Sequence, residues 1–256
     1  MLKFLRNPLY LFLFLVSLTA CRPHALITKV ETNVITIDTV AVVKEDTSAL
    51  RLIKPYKEKM NAAMDGVIAY SEQAMIKGNP EGVLNNFVSD LTLLIAKKYY
   101  KPVDSTSIDM CLLNTGGLRA SLPKGNITLG KVYELMPFEN MLVVITLSGE
   151  KTKQMFDYIA KMGGMPIAGF TMGMKDTLAI DPTINGKAFD ITKSYKVVTS
   201  DYLAGGGDKM SFFKNPLKRE DLSLKARDAI IEYMKEETKK GNALKAQLDN
   251  RIHYEK

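Results

Sequence analysis

Residues 111–149 constrain the fold more than any other part of the chain, because they alternate apolar runs with glycine-containing polar segments. One apolar run ends in Asn114-Thr-Gly-Gly-Leu-Arg119, and a second one starts after Pro137-Phe-Glu-Asn140. Short apolar runs bounded by turn residues are typical of buried strands. Two strands are therefore predicted to bring polar and aromatic residues to one edge of a sheet.

The residue types in this stretch suit an anion-binding site beside an aromatic platform. A guanidinium such as that of Arg119 makes paired hydrogen bonds to anions, and the neighbouring Gly116 and Gly117 let backbone N–H groups come close. Phe138 could lie flat against the ring of a ligand. The stretch therefore predicts a binding site at the sheet edge.

The first twenty residues have the organisation of a secretory signal. Lys3 and Arg6 precede a short apolar run, and Leu18-Thr-Ala-Cys21 follows it. This order is typical of a cleaved signal rather than of a membrane-spanning helix. The segment Leu18-Thr-Ala-Cys21 resembles the lipobox of bacterial lipoproteins, so we predict a signal peptide at 1–20 and lipidation at Cys21. An uncleaved anchor is the alternative, and both place the folded part in the cell envelope, tethered to a membrane on its periplasmic or exterior side.

Charge and cysteine content exclude several classes of function. The formal net charge is +7, but the basic residues are scattered and no arginine-rich run is interleaved with aromatics, so nucleic-acid binding is not predicted. If Cys21 is acylated, Cys111 has no partner for an internal disulfide. Because no histidine is near Cys111 in sequence, a buried structural cysteine is favoured over a nucleophile.

The remaining patterns predict helices interleaved with strands. Residues 21–47 are predicted to form a tether with one or two strands, and residues 48–256 one domain. Helices are predicted at about 48–64, 81–100, 149–162 and 223–240. Strands are predicted at 67–70, 170–174 and 195–200, with turns at Asp181-Pro and Asn185-Gly and either a polar tail or a closing strand at 250–254. This interleaving favours an α+β fold, a mixed β-sheet packed with helices.

Two further segments carry candidate site residues, each with a plainer alternative. Asn86 and Asp90 lie four residues apart on the predicted helix at 81–100 and point together, although an ordinary polar helix flank shows the same pattern. Three glycines precede Asp208 directly after an apolar strand, which indicates a sharp loop that lets the carboxylate reach inward. A flexible surface loop is the alternative there.

Three motifs, in this order and spacing, resemble the C-terminal domain of the 5′-nucleotidase family. They are Asn114-Thr-Gly-Gly-Leu-Arg119, Pro137-Phe-Glu-Asn140 and Tyr202-Leu-Ala-Gly-Gly-Gly-Asp208. The resemblance covers about residue 50 to the C-terminus, and Asn86 with Asp90 is similar to the family's Asn-x-x-x-Asp. It implies a domain that holds a nucleotide, while in the family a separate N-terminal metallophosphoesterase domain carries two metal ions and the catalytic residues.

The resemblance assigns a role to each motif residue by position. Arg119 would contact the phosphate of the substrate, and Phe138 and Tyr202 would sandwich the base. Asn140 would hydrogen-bond the base edge, and Asp208 the ribose hydroxyls. The residue types suit these roles, since guanidinium binds phosphate and a carboxylate accepts from paired hydroxyls. The predicted substrate-binding set is completed by Asn114, Gly116 and Gly117.

The chain departs from the family pattern at three points. Tyr202 stands where relatives often have phenylalanine. Relatives commonly supply further arginines upstream of Gly-Gly-x-Arg, whereas residues 67–118 of this chain contain no arginine, only lysines such as Lys77. A two-metal site needs several histidine, aspartate and asparagine ligands, whereas this chain has only His24 and His253, one near each end. No other catalytic motif is found.

The sequence therefore predicts the nucleotide-binding, substrate-specificity half of a split 5′-nucleotidase that acts in nucleotide catabolism. No cofactor is predicted in this chain, and divalent metals and catalytic residues would come from a separate metallophosphatase chain. A stand-alone lipoprotein that binds nucleosides or nucleotides without turnover is the alternative. A scaffold whose pocket has decayed is a third interpretation.

Overall fold

The computed structural model describes residues 27–34, 46–102 and 104–255. The chain divides into two units, Met1–Leu50 and Arg51–Lys256. The predicted signal peptide, Cys21 and most of the predicted tether lie outside the described residues, and the described residues 27–34 form neither helix nor strand. In the described part of the chain, no helix combines the length and apolar character needed to cross a membrane.

The described chain mixes helices and strands in an α+β fold, as predicted. The helices are α1 (Thr47–Met64), α2 (Val83–Tyr99), α3 (Leu129–Leu135), α4 (Gly149–Lys161), α5 (Asp201–Ala204) and α6 (Ala226–Lys239). The strands are β1 (Val67–Ser71), β2 (Met110–Leu112), β3 (Gly125–Thr128), β4 (Met141–Ser148), β5 (Ile167–Ala168), β6 (Phe170–Lys175), β7 (Leu178–Ile184), β8 (Lys187–Ala188), β9 (Ser194–Ser200), β10 (Lys218–Lys225) and β11 (Ile252–Tyr254). The predicted last helix begins three residues late, at Ala226, because β10 occupies its expected start.

The five-stranded sheet brings several strand ends to one edge. Its order is β10-β4-β9-β2-β5, with β2 parallel to β9 and the other neighbours antiparallel. β2 and β9 therefore end at the same edge, where the antiparallel β4 begins and Leu142 pairs with Ser200. The predicted convergence of the strands before Asn114 and after Asn140 is confirmed, with β9 lying between them.

Both faces of this sheet are covered by packed side chains. Along β4, Leu142 and Val144 join one buried cluster, whereas Val143 and Ile145 join another. This alternation follows from the two-residue repeat of a strand. Helices α2 and α6 contribute to the first cluster and α4 to the second. Cys111 is fully buried in the first cluster, and burial raises the pKa of its thiol, so it is a core residue, as predicted.

Helix α2 is buried on several sides, including one that carries polar residues. Leu94 is 56% exposed, whereas the polar residues Asn85, Asn86 and Ser89 are buried. The hydroxyl of Ser89 donates to the carbonyl of Ile167 in β5 at 2.7 Å, so β5 covers the polar side of the helix. The alternative of an ordinary polar helix flank therefore does not hold for Asn86, which is buried, whereas the side chain of Asp90 is 51% exposed.

The segment before β11 fastens the C-terminal strand to α2. The amide of Asn86 donates to the carbonyl of Gln247 at 2.9 Å. Arg251 is buried and donates to both carboxylate oxygens of Asp90, at 2.6 and 2.9 Å, and also to the carboxylate of Asp249. Asn86 and Asp90 thus hold the C-terminal segment in place.

Arg251→Met is expected to lower the free energy of unfolding by about 1–2 kcal/mol, because two carboxylates lose a shared buried partner. The hydrogen bond from Arg251 holds the pKa of Asp249 below its usual range. A lowered folded-state pKa adds stability above the unfolded pKa of about 4, and this stability is lost as the pH falls through the folded-state value. Urea denaturation at neutral and acidic pH should therefore show that acidification lowers the free energy of unfolding less in Arg251→Met than in the wild type. Arg219→Met, at an exposed ion pair, is the control. If both substitutions lowered the free energy of unfolding equally, the prediction would be contradicted.

A second sheet, ordered β11-β6-β7-β8, contributes Phe170 and Met172 of β6 to the second buried cluster. The predicted turn at Asn185 and Gly186 joins β7 to β8 as a two-residue hairpin, with both residues at positive φ. The predicted turn at Asp181 is wrong, because this residue lies inside β7. Asp181 has a φ of 43° and lies where the pairing of β7 with β6 shifts register, between Thr171 and Gly173 of β6. The turn signal therefore marks a β-bulge in β7.

Candidate functional site

The loop after β2 presents Asn114 and Arg119. A Cβ on Gly117 would lie 2.8 Å from Oδ1 of Asn114, so glycine in this 3₁₀ turn leaves the side chain of Asn114 in its place. The backbone N–H of Arg119 donates to the carbonyl of Leu135 at the end of α3, at 2.8 Å. The guanidinium is exposed, with Nη1 3.4 Å from the carbonyl of Gly116. The backbone is therefore fixed while the charged end faces solvent.

The loop between α3 and β4 presents Phe138, which is 43% exposed. Buried Arg227, in the first turn of α6, donates from Nη1 to the three successive carbonyls of residues 136–138, at 3.4, 3.1 and 3.5 Å. The backbone carbonyl of Asn140 accepts from the N–H of Ala226 at 2.9 Å. The start of α6 thus holds the loop that carries the phenylalanine, a role that the sequence did not predict for Arg227.

The loop after β9 presents Tyr202 and Asp208. The hydroxyl of Ser200 caps α5 by accepting from the N–H of Leu203 at 3.2 Å, and Tyr202 is 50% exposed. A Cβ on Gly207 would lie 2.6 Å from ring carbons of Tyr202, so glycine lets the chain pass close to the ring. Asp208 has a φ of 50°, which is uncommon outside glycine. The predicted sharp loop is confirmed.

The carboxylate of Asp208 joins two of these loops. The amide of Asn114 donates to Oδ2 at 2.6 Å, and the hydroxyl of Tyr202 donates to Oδ1 at 2.7 Å. From α4, the hydroxyl of Tyr158 donates to the backbone carbonyl of Asp208 at 2.5 Å. The hydrogen bond to the carboxylate raises the pKa of Tyr202, so its hydroxyl remains a donor at neutral pH. Each carboxylate oxygen keeps a further lone pair with which to accept from a ligand.

A cavity of about 390 Å³ lies at this sheet edge. Its lining includes all eight predicted substrate-binding residues, which are Asn114, Gly116, Gly117, Arg119, Phe138, Asn140, Tyr202 and Asp208. Asn86 and Asp90 are not in this lining and serve the C-terminal segment instead. The volume suits a small ligand. One cation, two half-exposed rings and an acceptor carboxylate can bind an anionic group, a planar ring and hydroxyls together.

Lys77 contacts the backbone of the loop that carries Arg119. Its Nζ donates to the carbonyl of Leu118 at 2.9 Å, and Leu118 immediately precedes Arg119. The sequence indicated Lys77 only as one of the lysines in a region where family members commonly supply arginines. The contact sets this lysine one residue away from Arg119 along that loop.

The described residues do not fit a metal ion. Across residues 27–34, 46–102 and 104–255, no three His, Cys, Asp or Glu side chains lie close enough together to hold one. Nε2 of His253 lies 3.0 Å from the carboxylate of Glu255, and His24 lies outside the described residues. No metal-dependent step is therefore assigned to this chain.

The fold and the cavity together define an α+β domain whose sheet edge presents two aromatic rings, a carboxylate and a guanidinium to one cavity. The family model described as 5′-nucleotidase, C-terminal domain, matches residues 67–215, which is more than half of the chain. The chain belongs to this family. The matched region contains all eight predicted substrate-binding residues of the cavity lining.

Known relatives are much longer than this chain. The trifunctional nucleotide phosphoesterase protein YfkN of Bacillus subtilis (strain 168) is 27% identical over 231 residues, which cover 82% of this chain and 15% of that protein. The 5′-nucleotidase of Vibrio vulnificus (strain CMCP6) is 27% identical over 174 residues, 65% of this chain and 30% of that protein. The chain thus spans less than a third of these curated relatives.

Solved structures show the same architecture. The 5′-nucleotidase precursor from Thermus thermophilus superposes with a TM-score of 0.68 at 26% identity, over 82% of this chain and 43% of that one. The NAD nucleotidase of Haemophilus influenzae superposes with a TM-score of 0.61 at 20% identity, over 82% of this chain and 41% of that one, which supports the fold alone.

Proposed function

We propose that this chain is the nucleotide-binding half of a split 5′-nucleotidase, acting in nucleotide catabolism with a separate metallophosphatase chain. The convergence of eight predicted residues on one cavity carries the proposal. Phe138 and Tyr202 would hold the base between their rings, with Asn140 at its edge. Asp208 would accept from the ribose hydroxyls, and Arg119 would bind the phosphate.

The separation of binding from chemistry rests on two observations. The sequence has two histidines, and its described residues do not fit a metal ion. Divalent metals and the catalytic residues would come from the partner. This chain would fix the substrate while the partner cleaves the phosphate ester.

We also propose that the chain is anchored to a bacterial membrane through a lipid on Cys21. The proposal rests on the charged start, the short apolar run and the lipobox-like sequence of the first 21 residues. Mass spectrometry of protein from a bacterial expression host should find the acyl chains on Cys21, and Cys21→Ser should abolish them. Unmodified Cys21 in membrane-extracted protein would contradict the proposal.

Reconstitution tests the split enzyme. The full chain is mixed with secreted metallophosphatase chains that lack this domain, in the presence of Mn²⁺, and AMP hydrolysis is compared with that of each chain alone. We expect a rate above the sum of the separate rates, lost in Phe138→Ala. AMP binding by the chain without any gain in rate would favour the non-catalytic binding protein. The absence of both binding and rate gain would contradict both functions.

Arg119→Ala is expected to raise the Kd for AMP about 5- to 15-fold and to leave the Kd for adenosine nearly unchanged. The variant removes charge-assisted hydrogen bonds to phosphate at an exposed position, worth about 1–1.5 kcal/mol. Lys77→Ala should have a smaller effect in the same direction. Isothermal titration calorimetry measures both ligands, with Lys131→Ala, at an exposed ion pair on α3, as the control. Equal losses of AMP and adenosine binding would contradict the assignment of Arg119 to the phosphate.

A further inference from the structure

Helix α1 carries an exposed apolar face that the nucleotide site does not use. None of its residues is buried, and Leu52, Ile53, Tyr56 and Met60 are between 49% and 74% exposed. Spacings of one, four and eight residues set these four side chains on one side of a helix. Single exposed apolar residues are common on proteins, but a continuous stripe marks an interaction surface.

Basic residues border this apolar face. With 3.6 residues per turn, Lys59 lies beside Leu52 on one margin and Lys57 beside Ile53 on the other. The opposite face carries Arg51 and Lys54, and Glu58 is the helix's one acidic residue. Nζ of Lys54 lies 3.8 Å from the carboxylate of Glu58, so this acid is paired on the polar face. The apolar face and its margins therefore carry only positive charge.

This distribution fits an anionic lipid surface. Marginal lysines can lay their alkyl stems along the apolar face while their amines reach lipid phosphates. A protein partner would need acidic residues on both sides of an apolar groove to match the same margins. The helix precedes residue 67, where the family match begins, and contributes none of the residues that line the cavity.

We propose that α1 lies along the surface of an anionic membrane, with the stripe formed by Leu52, Ile53, Tyr56 and Met60 in the headgroup region and Lys57 and Lys59 on lipid phosphates. The proposal concerns how the protein meets the membrane and does not rest on nucleotide binding. It also differs from lipidation, because the contact is made by the side chains of a folded helix.

An introduced tryptophan tests the contact, because the chain has none of its own. Full-length Tyr56→Trp is reconstituted with vesicles of phosphatidylglycerol and phosphatidylcholine that carry bromine at known acyl positions. We expect a blue-shifted emission that is quenched most by bromines near the headgroups. Tyr254→Trp, at an exposed position on β11, is the matched control and should not be quenched. Both proteins share the same N-terminal segment, so the difference between them reports on α1.

Charge reversal tests whether contact with anionic lipid causes the quenching of the introduced tryptophan. In the Tyr56→Trp background, Lys57→Glu with Lys59→Glu should reduce quenching to the level of the Tyr254→Trp control, and high salt should act in the same direction. Quenching of Tyr56→Trp no greater than that of the control would overturn the proposal. A blue shift that appears only when a metallophosphatase chain is added would also overturn it and would assign the face to a protein partner.

Discussion

Removal of both aromatic rings, in Phe138→Ala/Tyr202→Ala, is expected to abolish measurable AMP binding. Stacking of a base on an aromatic side chain contributes about 1–3 kcal/mol per contact, which is roughly 5- to 150-fold in Kd. Both rings are about half exposed at the rim of one cavity, so each has a face available to the ligand. Each single variant should raise the Kd for AMP by a factor within that range. The Kd of the double variant should be too high to measure by calorimetry.

One variant separates the ring of Tyr202 from its hydroxyl, and a second one is a control at another exposed ring. Tyr202→Phe keeps the stacking face but removes the hydrogen bond of 2.7 Å to Asp208, so it should change the preference between ribose and deoxyribose ligands more than the base affinity. Tyr70→Ala removes a half-exposed ring from β1, away from the cavity lining, and should leave Kd unchanged. Wild-type affinity in both Phe138→Ala and Tyr202→Ala would show that the base lies elsewhere.

The site could be predicted because its residues follow strands whose directions are set by the sheet. Asn114 and Tyr202 follow β2 and β9, which run parallel and so end at the same edge. Phe138 precedes β4, which is antiparallel to β9 and begins there. Local sequence signals therefore placed Arg119 and Phe138 at one sheet edge, and the family resemblance added Tyr202 and Asp208.

Partners that are far apart in sequence could not be predicted. Arg227 and Met136 are 91 positions apart, and Arg251 and Asp90 are 161 apart. In the sequence, each arginine stands among other polar residues and resembles a solvated charge. Burial of either arginine depends on which loop or helix packs against it, and no local sequence pattern predicts this packing.

Strand β10 was missed for a different reason. Its sequence begins Lys-Arg-Glu-Asp and lacks the apolar alternation used to recognise a strand. It lies at the edge of the five-stranded sheet, next to β4. Edge strands often carry charged side chains, which oppose pairing with other chains, so the charges of β10 are typical of its position. The same charges replace the apolar pattern from which a strand is predicted.

Arg227→Met is expected to lower the free energy of unfolding by about 2–4 kcal/mol and to weaken AMP binding at least about tenfold. The side chain of Arg227 is 4% exposed, its Nη1 contacts three carbonyls of the loop at 136–138, and its Nη2 donates to Glu139 at 2.5 Å. The guanidinium carbon also lies 4.1 Å from the centre of the Tyr133 ring. Methionine can fill part of the space but donates nothing to the three carbonyls, so the loop that carries Phe138 should become mobile.

Comparison of variants at Arg227 and Lys225 separates loop positioning from general charge effects. Lys225 also pairs with Glu139, but its side chain is 38% exposed against 4% for Arg227, so Lys225→Met should change neither stability nor Kd appreciably. Arg227→Lys keeps the charge but loses the planar fork that reaches several carbonyls at once, and it should restore only part of the affinity. Binding is measured by calorimetry at a temperature where circular dichroism shows every variant folded. If folded Arg227→Met bound AMP as tightly as the wild type, the arginine would stabilise the fold without positioning the aromatic ring.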